Sequence, residues 1–401
     1  MTRLSLLLES IALAVILQTA TPVYAQLHLI AGTPTPKSAE SFAVDLFEVQ
    51  TDGTLQLKSR LASEEEGLWW IQRAEDEHVI ALMTRHTKDA VVVLDTRQAK
   101  VIKRCDSWPD VPGYVSHEIW PTEQWLTSDG TGNLFVGRYG SRGDPDAVLQ
   151  GMSLDPSLPC ASSFKMLAPT DVSSLYVQGN GGLPQFSAVE SIIMTVDAAG
   201  QVRTRIGGSA VYLGYTVPRD LWGDLKVPLF AVLANTPKLL VVYNSDRENP
   251  QKIQTVVYDK TARVWSRLPL PDLSNIRAFG SSVTMTERVP PSPDPAQRGG
   301  KSRRTRATVN GPDKAFWFGD EEERGRSYPG RLHVYNVATQ KRTLIVTNEE
   351  DSEVLLVDGD SVYYRVNNSI YKCDAGSSGL LPGTKLATDE RIGDVHWAFV
   401  Q

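Results

Sequence analysis

Between Leu68 and Cys105 the chain reads LWWIQRAEDEHVIALMTRHTKDAVVVLDTRQAKVIKRC. Four short runs rich in β-branched and aromatic residues, LWWIQR (68–73), HVIALMTR (78–85), AVVVLD (90–95) and KVIKRC (100–105), are separated by brief polar turns. None is long enough for an ordinary helix and none carries helical periodicity, so the stretch reads as four consecutive antiparallel strands. Its third strand ends in Asp, and that detail recurs. SFAVDLFEVQ ends at Gln50, AVVVLD at Asp95, VLQGMSLD at Asp155, SIIMTVD at Asp197, KIQTVVYD at Asp259, RLHVYN at Asn336 and SIYKCD at Asp374.

These seven anchors stand 45, 60, 42, 62, 77 and 38 residues apart, mostly the length of a four-stranded propeller blade with variable loops. The longest interval holds PPSPDPAQRGGKSRRTRATVNG, within residues 290–312, which is too rich in Pro, Gly and Arg to supply a core strand and reads as a disordered basic insert. At the C-terminus one strand, DVHWAFV (394–400), is surplus, while the first unit has only LHLIAG, SFAVDLFEVQ and TLQLKSRL. A ring must close, because an open end leaves unpaired strand edges. The expected fold is all-β: a seven-bladed β-propeller of four-stranded antiparallel blades, closed by the C-terminal strand as the innermost strand of the first blade. GNGGLPQF obscures the strand count in the fourth unit, and a six-bladed ring is the alternative.

Composition agrees with one globular domain over residues 26–401. The chain has 401 residues, 41% hydrophobic and 22% charged, with a net charge of -6. That mild acidity argues against general affinity for nucleic acid or anionic membranes. Residues 1–25 read as a cleaved signal peptide, with Arg3, the apolar run Ile11 to Leu17, and small residues Val23 and Ala25 at the cleavage site. The expectation is a secreted or periplasmic protein with no membrane span in its mature chain.

Three cysteines are too few for a disulfide-built scaffold. Cys105 ends the outer strand of the second blade and Cys160 falls in the outer hairpin of the third, so these two are the pair expected to bridge, leaving Cys373 alone. Three unpaired thiols is the other reading.

AVVVLDTRQAKVIKRC, Ala90 to Cys105, resembles the repeat of the YVTN and lactonase-like seven-bladed propellers, and LHVYNVATQKRTLIV, Leu332 to Val346, is similar. The region Gly32 to Leu55, with LFEVQTDGTL, resembles the first blade of lactonase-type members, and VVYDKTARVWSRLPLP has a kelch character in its Tyr258 and Trp265. The resemblance implies the propeller architecture across the mature chain. The His-rich segment of lactonase-like enzymes is not recognisable here, so no functional residue is carried over.

Propeller ligands meet loops at one mouth of the channel, and the loops RHTKDA (85–90), GSRGDPDA (140–147), SDRENPQ (245–251) and DEEERGRSYPG (320–330) are charged. Arg85, Arg142, Asp144, Arg247, Glu248 and Arg326 are candidate binding residues through charge-assisted hydrogen bonds. The competing reading is solvated loop surface. His86, His117 and Glu118 pair imidazole with carboxylate chemistry, yet adjacent residues of an extended chain face opposite ways. Trp108 and Trp120 sit in the long loop Asp106 to Pro121 and are the tryptophans expected to be exposed. Arg142-Gly143-Asp144 spells an integrin-type tripeptide that reads as coincidence. Acidic runs at Glu64 to Glu66, Asp320 to Glu323 and Glu349 to Asp351 read as solvated turns.

No G-x-S-x-G elbow, P-loop or dinucleotide fingerprint occurs. The sequence therefore favours a non-catalytic exported propeller without cofactor that binds a protein or polymer partner. A lactonase-like hydrolase, with a small-molecule ligand and a divalent cation in the central channel, is the alternative, and a carbohydrate-binding role is the third.

Overall fold

The computed structural model describes residues 26–35, 38–63, 68–73, 78–84, 90–106, 124–128, 134–139, 149–167, 174–178, 194–196, 199–206, 209–222, 225, 228–246, 253–269, 273–288, 330–349, 352–375 and 383–401. The segment 1–25 expected to be a signal peptide and the segment 290–312 expected to be an insert lie outside them.

The described chain is almost wholly antiparallel β. The first blade consists of β1 (Leu27–Thr35), β2 (Ser38–Val49) and β3 (Leu55–Ala62), with the last strand of the chain, β28 (Val395–Val400), hydrogen-bonded to the inner edge of β1. Leu27 pairs with Val400, Leu29 with Ala398 and Ile30 with Trp397, which closes the ring as the surplus strand required. The second blade is β4 (Leu68–Arg73), β5 (Val79–Thr84), β6 (Ala90–Asp95) and β7 (Lys100–Cys105), in that order from the axis outward. The sixth follows the same plan with β20 (Leu273–Phe279), β21 (Ser282–Arg288), β22 (Gly330–Asn336) and β23 (Lys341–Glu349). So does the seventh, with β24 (Ser352–Asp358), β25 (Ser361–Val366), β26 (Ser369–Asp374) and β27 (Thr384–Thr388).

The third blade, β8 (Gln124–Ser128), β9 (Leu134–Tyr139), β10 (Leu149–Ser153) and β11 (Phe164–Leu167), and the fifth, β16 (Pro228–Asn235), β17 (Leu239–Asp246), β18 (Ile253–Asp259) and β19 (Val264–Arg267), each have four strands. An extra strand, β12 (Ser174–Gln178), pairs with both β8 and β16 and joins the two blades into one nine-stranded sheet. The fourth blade is the irregular one: β13 (Met194–Val196), β14 (Gln201–Ile206) and β15 (Ser209–Thr216) form a three-stranded sheet, followed by a 3₁₀ turn at Arg219–Trp222.

One hydrogen bond identifies equivalent strands. The N–H just after the third strand donates to the carbonyl just before the second: Thr96 to His78, Val217 to Gly200, Lys260 to Lys238, Val337 to Ser281 and Ala375 to Asp360. This corrects the fourth anchor. Val217 marks β15 as the third strand of its blade, so Met194–Val196 of the SIIMTVD segment form the inner strand β13 and not a third strand; Asp197 itself lies outside the described residues.

At the other anchors the reason for Asp or Asn is visible. The Asp95 carboxylate accepts the Arg97 N–H at 2.8 Å, Asp259 accepts from Thr261 and Ala262 at 2.8 and 2.9 Å, and Asn336 accepts from Thr339 at 2.9 Å. Each turn then passes through a left-handed residue, Ala99, Arg263 or Gln340. A short side-chain acceptor satisfies turn donors that would otherwise lack partners.

Blades bury both faces against their neighbours, which explains why AVVVLD is buried throughout instead of alternating. Ile30, Leu46, Ile80, Leu82, Leu94 and Phe399 fill the seam between the first two blades. Polar stitches reinforce the seams. Arg277 of blade six and Arg365 of blade seven both reach Glu353, at 2.6 and 3.3 Å. On the outer strand β7, alternation sends Arg104 to the Leu61 carbonyl of blade one, at 2.8 Å, and its neighbours Lys103 and Cys105 to blade three.

Cys105 and Cys160 are joined as a disulfide across 55 residues. Beside it the buried Lys103 ammonium donates to the Ser153 and Asp155 carbonyls, at 3.1 and 2.7 Å, and to Ser163 Oγ at 2.5 Å. Burial pushes this lysine below its ordinary range, partly offset by Asp155. In the chain-entropy account a loop of this length is worth about 4 kcal/mol. Replacing Cys105 and Cys160 by Ser is expected to lower stability by about that amount in urea titration, and an unchanged midpoint would contradict the linkage of blades two and three.

Candidate functional site

Antiparallel order puts the turns joining first to second and third to fourth strands at one end of every blade, and the remaining loops at the other. At the first end, on the ring axis, lies a cavity of about 450 Å³. Blades one, two, five, six and seven all contribute to it, so it is the channel mouth. Phe279, Leu356, Val357, Phe399 and Val400 are its apolar lining residues, but the first four are buried, so most of the exposed lining is polar. Inner strands end here with large residues that serve the seams, Phe399 among them at 1% exposure.

The rim is polar. His78, Lys238, Asp358 and Asp360 stand on exposed turns, and Thr96, Ser281, Ser282 and Asn336 line the wall. Blade seven makes its inner turn with Asp358, Gly359 and Asp360, where Gly359 at φ +56° supplies the left-handed step. The mouth therefore presents mainly polar and charged groups to whatever enters it.

Another polar cluster lies away from the mouth. His333 Nε2 meets Glu287 Oε2 at 2.9 Å, with Arg331 Nη1 3.6 Å from the same carboxylate. His333 is buried and its Nδ1 has no hydrogen-bond partner among the described residues. Its strand face also carries Tyr335, packed in the core between blades five and six, so this imidazole–carboxylate pair belongs to the interior. Among the described residues no group of three His, Cys, Asp or Glu is arranged to hold a metal, and no helix is long and apolar enough to cross a membrane.

The sequence-derived candidates Arg85, His86, Trp108, His117, Glu118, Trp120, Arg142, Asp144, Arg247, Glu248 and Arg326 all lie outside the described residues. Several belong to second-to-third-strand loops; the flanking strand ends, Thr84 and Ala90 or Asp246 and Ile253, are at the opposite end of the blades from the cavity. Sequence reading passed over the rim because the inner turns are short. Thr236-Pro237-Lys238, Gly280-Ser281 and Asp358-Gly359-Asp360 look like ordinary turn chemistry, and only ring closure brings them together.

No family model matches the chain, and no curated protein does. Solved structures do. A prolyl endopeptidase is 10% identical, covering 93% of this chain and 50% of its own, with a TM-score of 0.43. TolB from Acinetobacter baumannii is 10% identical over 90% of this chain and 65% of its own, at 0.33. A putative 6-phosphogluconolactonase from Bacteroides fragilis is 10% identical over 95% of this chain and 99% of its own, at 0.41. The chain thus spans less than two thirds of the first two. The architecture here rests on strand order and pairing.

Burial lowers the pKa of both His333 and His28, the latter stacked on Phe399 with ring centroids 5.1 Å apart. The folded state holds these rings neutral, whereas the unfolded chain takes up protons near pH 6.5. Stability present above about pH 6.5 is therefore lost as pH falls toward the depressed folded values. Thermal midpoints should drop between about pH 6.5 and pH 5, above the carboxylate range, and the His28→Gln, His333→Gln pair should flatten that drop. An equally steep profile in the variant would refute the assignment.

Proposed function

We propose that the protein is an exported, non-catalytic β-propeller that captures a protein or polymer partner at one mouth of its ring. The observation that carries this reading is the mouth cavity itself, where turns and strand ends of blades one, two, five, six and seven converge and polar and charged groups make up most of the exposed lining. Polar groups gathered at one mouth suit recognition of a macromolecule by hydrogen bonding and charge complementarity. The turns that make the collar are braced by hydrogen bonds from Thr96, Lys260, Val337 and Ala375, so a partner meets a preorganised surface at low entropic cost. Export is supported by the Cys105–Cys160 bridge, since such bonds persist in oxidising compartments. The reading calls for no cofactor.

The test is site-specific photo-crosslinking of the full chain, with a benzophenone side chain at Ser281 on the collar or at Asn368, exposed on the second-to-third-strand turn of blade seven at the opposite end. Exposure to secreted or periplasmic extract should give a discrete macromolecular adduct at Ser281. Adducts confined to Asn368 would move the site to the other mouth and overturn this assignment. Turnover of a lactone panel by the purified chain would overturn the non-catalytic reading.

A further inference from the structure

Two links cross from blade two to blade three side by side. Lys103 and Cys105 stand two apart on β7 and so share a face, while Cys160 and Ser163 stand three apart on one helical turn, Cys160–Ser163, and are neighbours there. Lys103 Nζ donates to Ser163 Oγ, and Cys105 is bonded to Cys160. A buried ammonium therefore lies alongside the disulfide.

The two sulfurs differ in access. Cys105 is 2% exposed, whereas Cys160 is half-buried and follows the exposed run Asp155 to Pro159. An external nucleophile thus meets Cys160 first. The charges nearby are also uneven. All three acceptors of Lys103, the Ser153 and Asp155 carbonyls and Ser163 Oγ, are neutral, and the Asp155 carboxylate is engaged by the Ser157 N–H and Oγ at 2.8 and 2.7 Å. An anion that forms next to a buried cation is stabilised by it.

We propose that the Cys105–Cys160 bridge is a thiol-exchange site, opened by a low-molecular-weight thiol that attacks Cys160 while Cys105 leaves as a thiolate beside the Lys103 ammonium. The attacking thiolate forms a new S–S bond to Cys160 Sγ, the Cys105–Cys160 bond breaks, and its electron pair stays on Cys105. A second thiolate then attacks the small-molecule sulfur of this mixed disulfide, releasing the oxidised thiol and leaving the two electrons on the protein. Cys160 takes up a proton from water and can donate it to the Arg104 carbonyl, 3.2 Å from its Sγ. Lys103 assists because a thiol of lower pKa is the faster leaving group. Burial disfavours the lysine's charge, and a thiolate at Cys105 offsets that cost. The covalent link between blades two and three is thereby placed under the control of the external thiol level.

The experiment treats the full native chain with reduced glutathione, quenches samples in acid, alkylates them with N-ethylmaleimide in denaturant and maps both cysteines by peptide mass spectrometry. Early samples should carry glutathione on Cys160 and maleimide on Cys105. Glutathione on Cys105 would overturn the direction of attack, and a bridge that glutathione opens only in denaturant would overturn the exchange site altogether.

The role of the ammonium is read from rates. Lys103→Met should slow opening at least about threefold, and Lys103→Arg, which keeps the charge, should open at close to the wild-type rate. Loosened packing would expose the bridge and speed its opening, so it cannot imitate the expected slowing. An unchanged or faster K103M, or equal slowing in K103R, would overturn the assistance by Lys103.

Discussion

The pairing of β28 with β1 is the constraint on which the rest of the molecule depends. The described strands of every other blade come from one contiguous segment, but the first blade receives its innermost strand from the far end of the chain. Reciprocal backbone bonds between Gln26 and Gln401 extend the pairing past the strand ends. The same strand delivers Phe399 into the seam of blades one and two, where removing a buried aromatic side chain costs about 3–5 kcal/mol. Phe399 also reaches the mouth cavity, so closure and site share a residue.

Closure makes local features cooperate. Inner turns that are unremarkable one at a time become a collar because the ring brings blades five, six, seven, one and two around one axis. The seams hold their angles through mixed devices: apolar packing everywhere, the Arg277–Glu353–Arg365 cluster between blades six and seven, and the disulfide with its caged lysine between blades two and three. Removing one partner of a partly buried ion cluster leaves charge without compensation, so these stitches matter most for what they forbid. A blade that tilted would break several of them together.

Much of the architecture was legible in the sequence because its signals are local. Short alternating strands and anchors of Asp or Asn report hydrogen bonding within a few residues, and the surplus strand could be matched to the deficient blade by counting strands, although the two lie at opposite ends of the chain. The fourth blade resisted for a local reason too. SIIMTVD has the composition of a third strand, and nothing in those residues says that it occupies the axis; that is fixed by the Val217-to-Gly200 hydrogen bond, made further along the chain. The site was less legible. Charged long loops attract attention in a sequence, whereas the mouth uses turns of two or three residues whose meaning arises only from long-range closure. His333 was overlooked for the same reason, since its glutamate lies 46 residues away.

Hydrogen exchange at the amides of Leu27 to Ala31, followed by mass spectrometry, tests the closure most directly. Alternate amides of this stretch bond to β2, and the others are protected only if the C-terminal strand covers the inner edge of the first blade. The account predicts for the latter protection comparable to that of the second strand β25 in blade seven. Exchange at the rate of an exposed strand edge would mean that the ring is open, and the collar at its mouth would then have no basis.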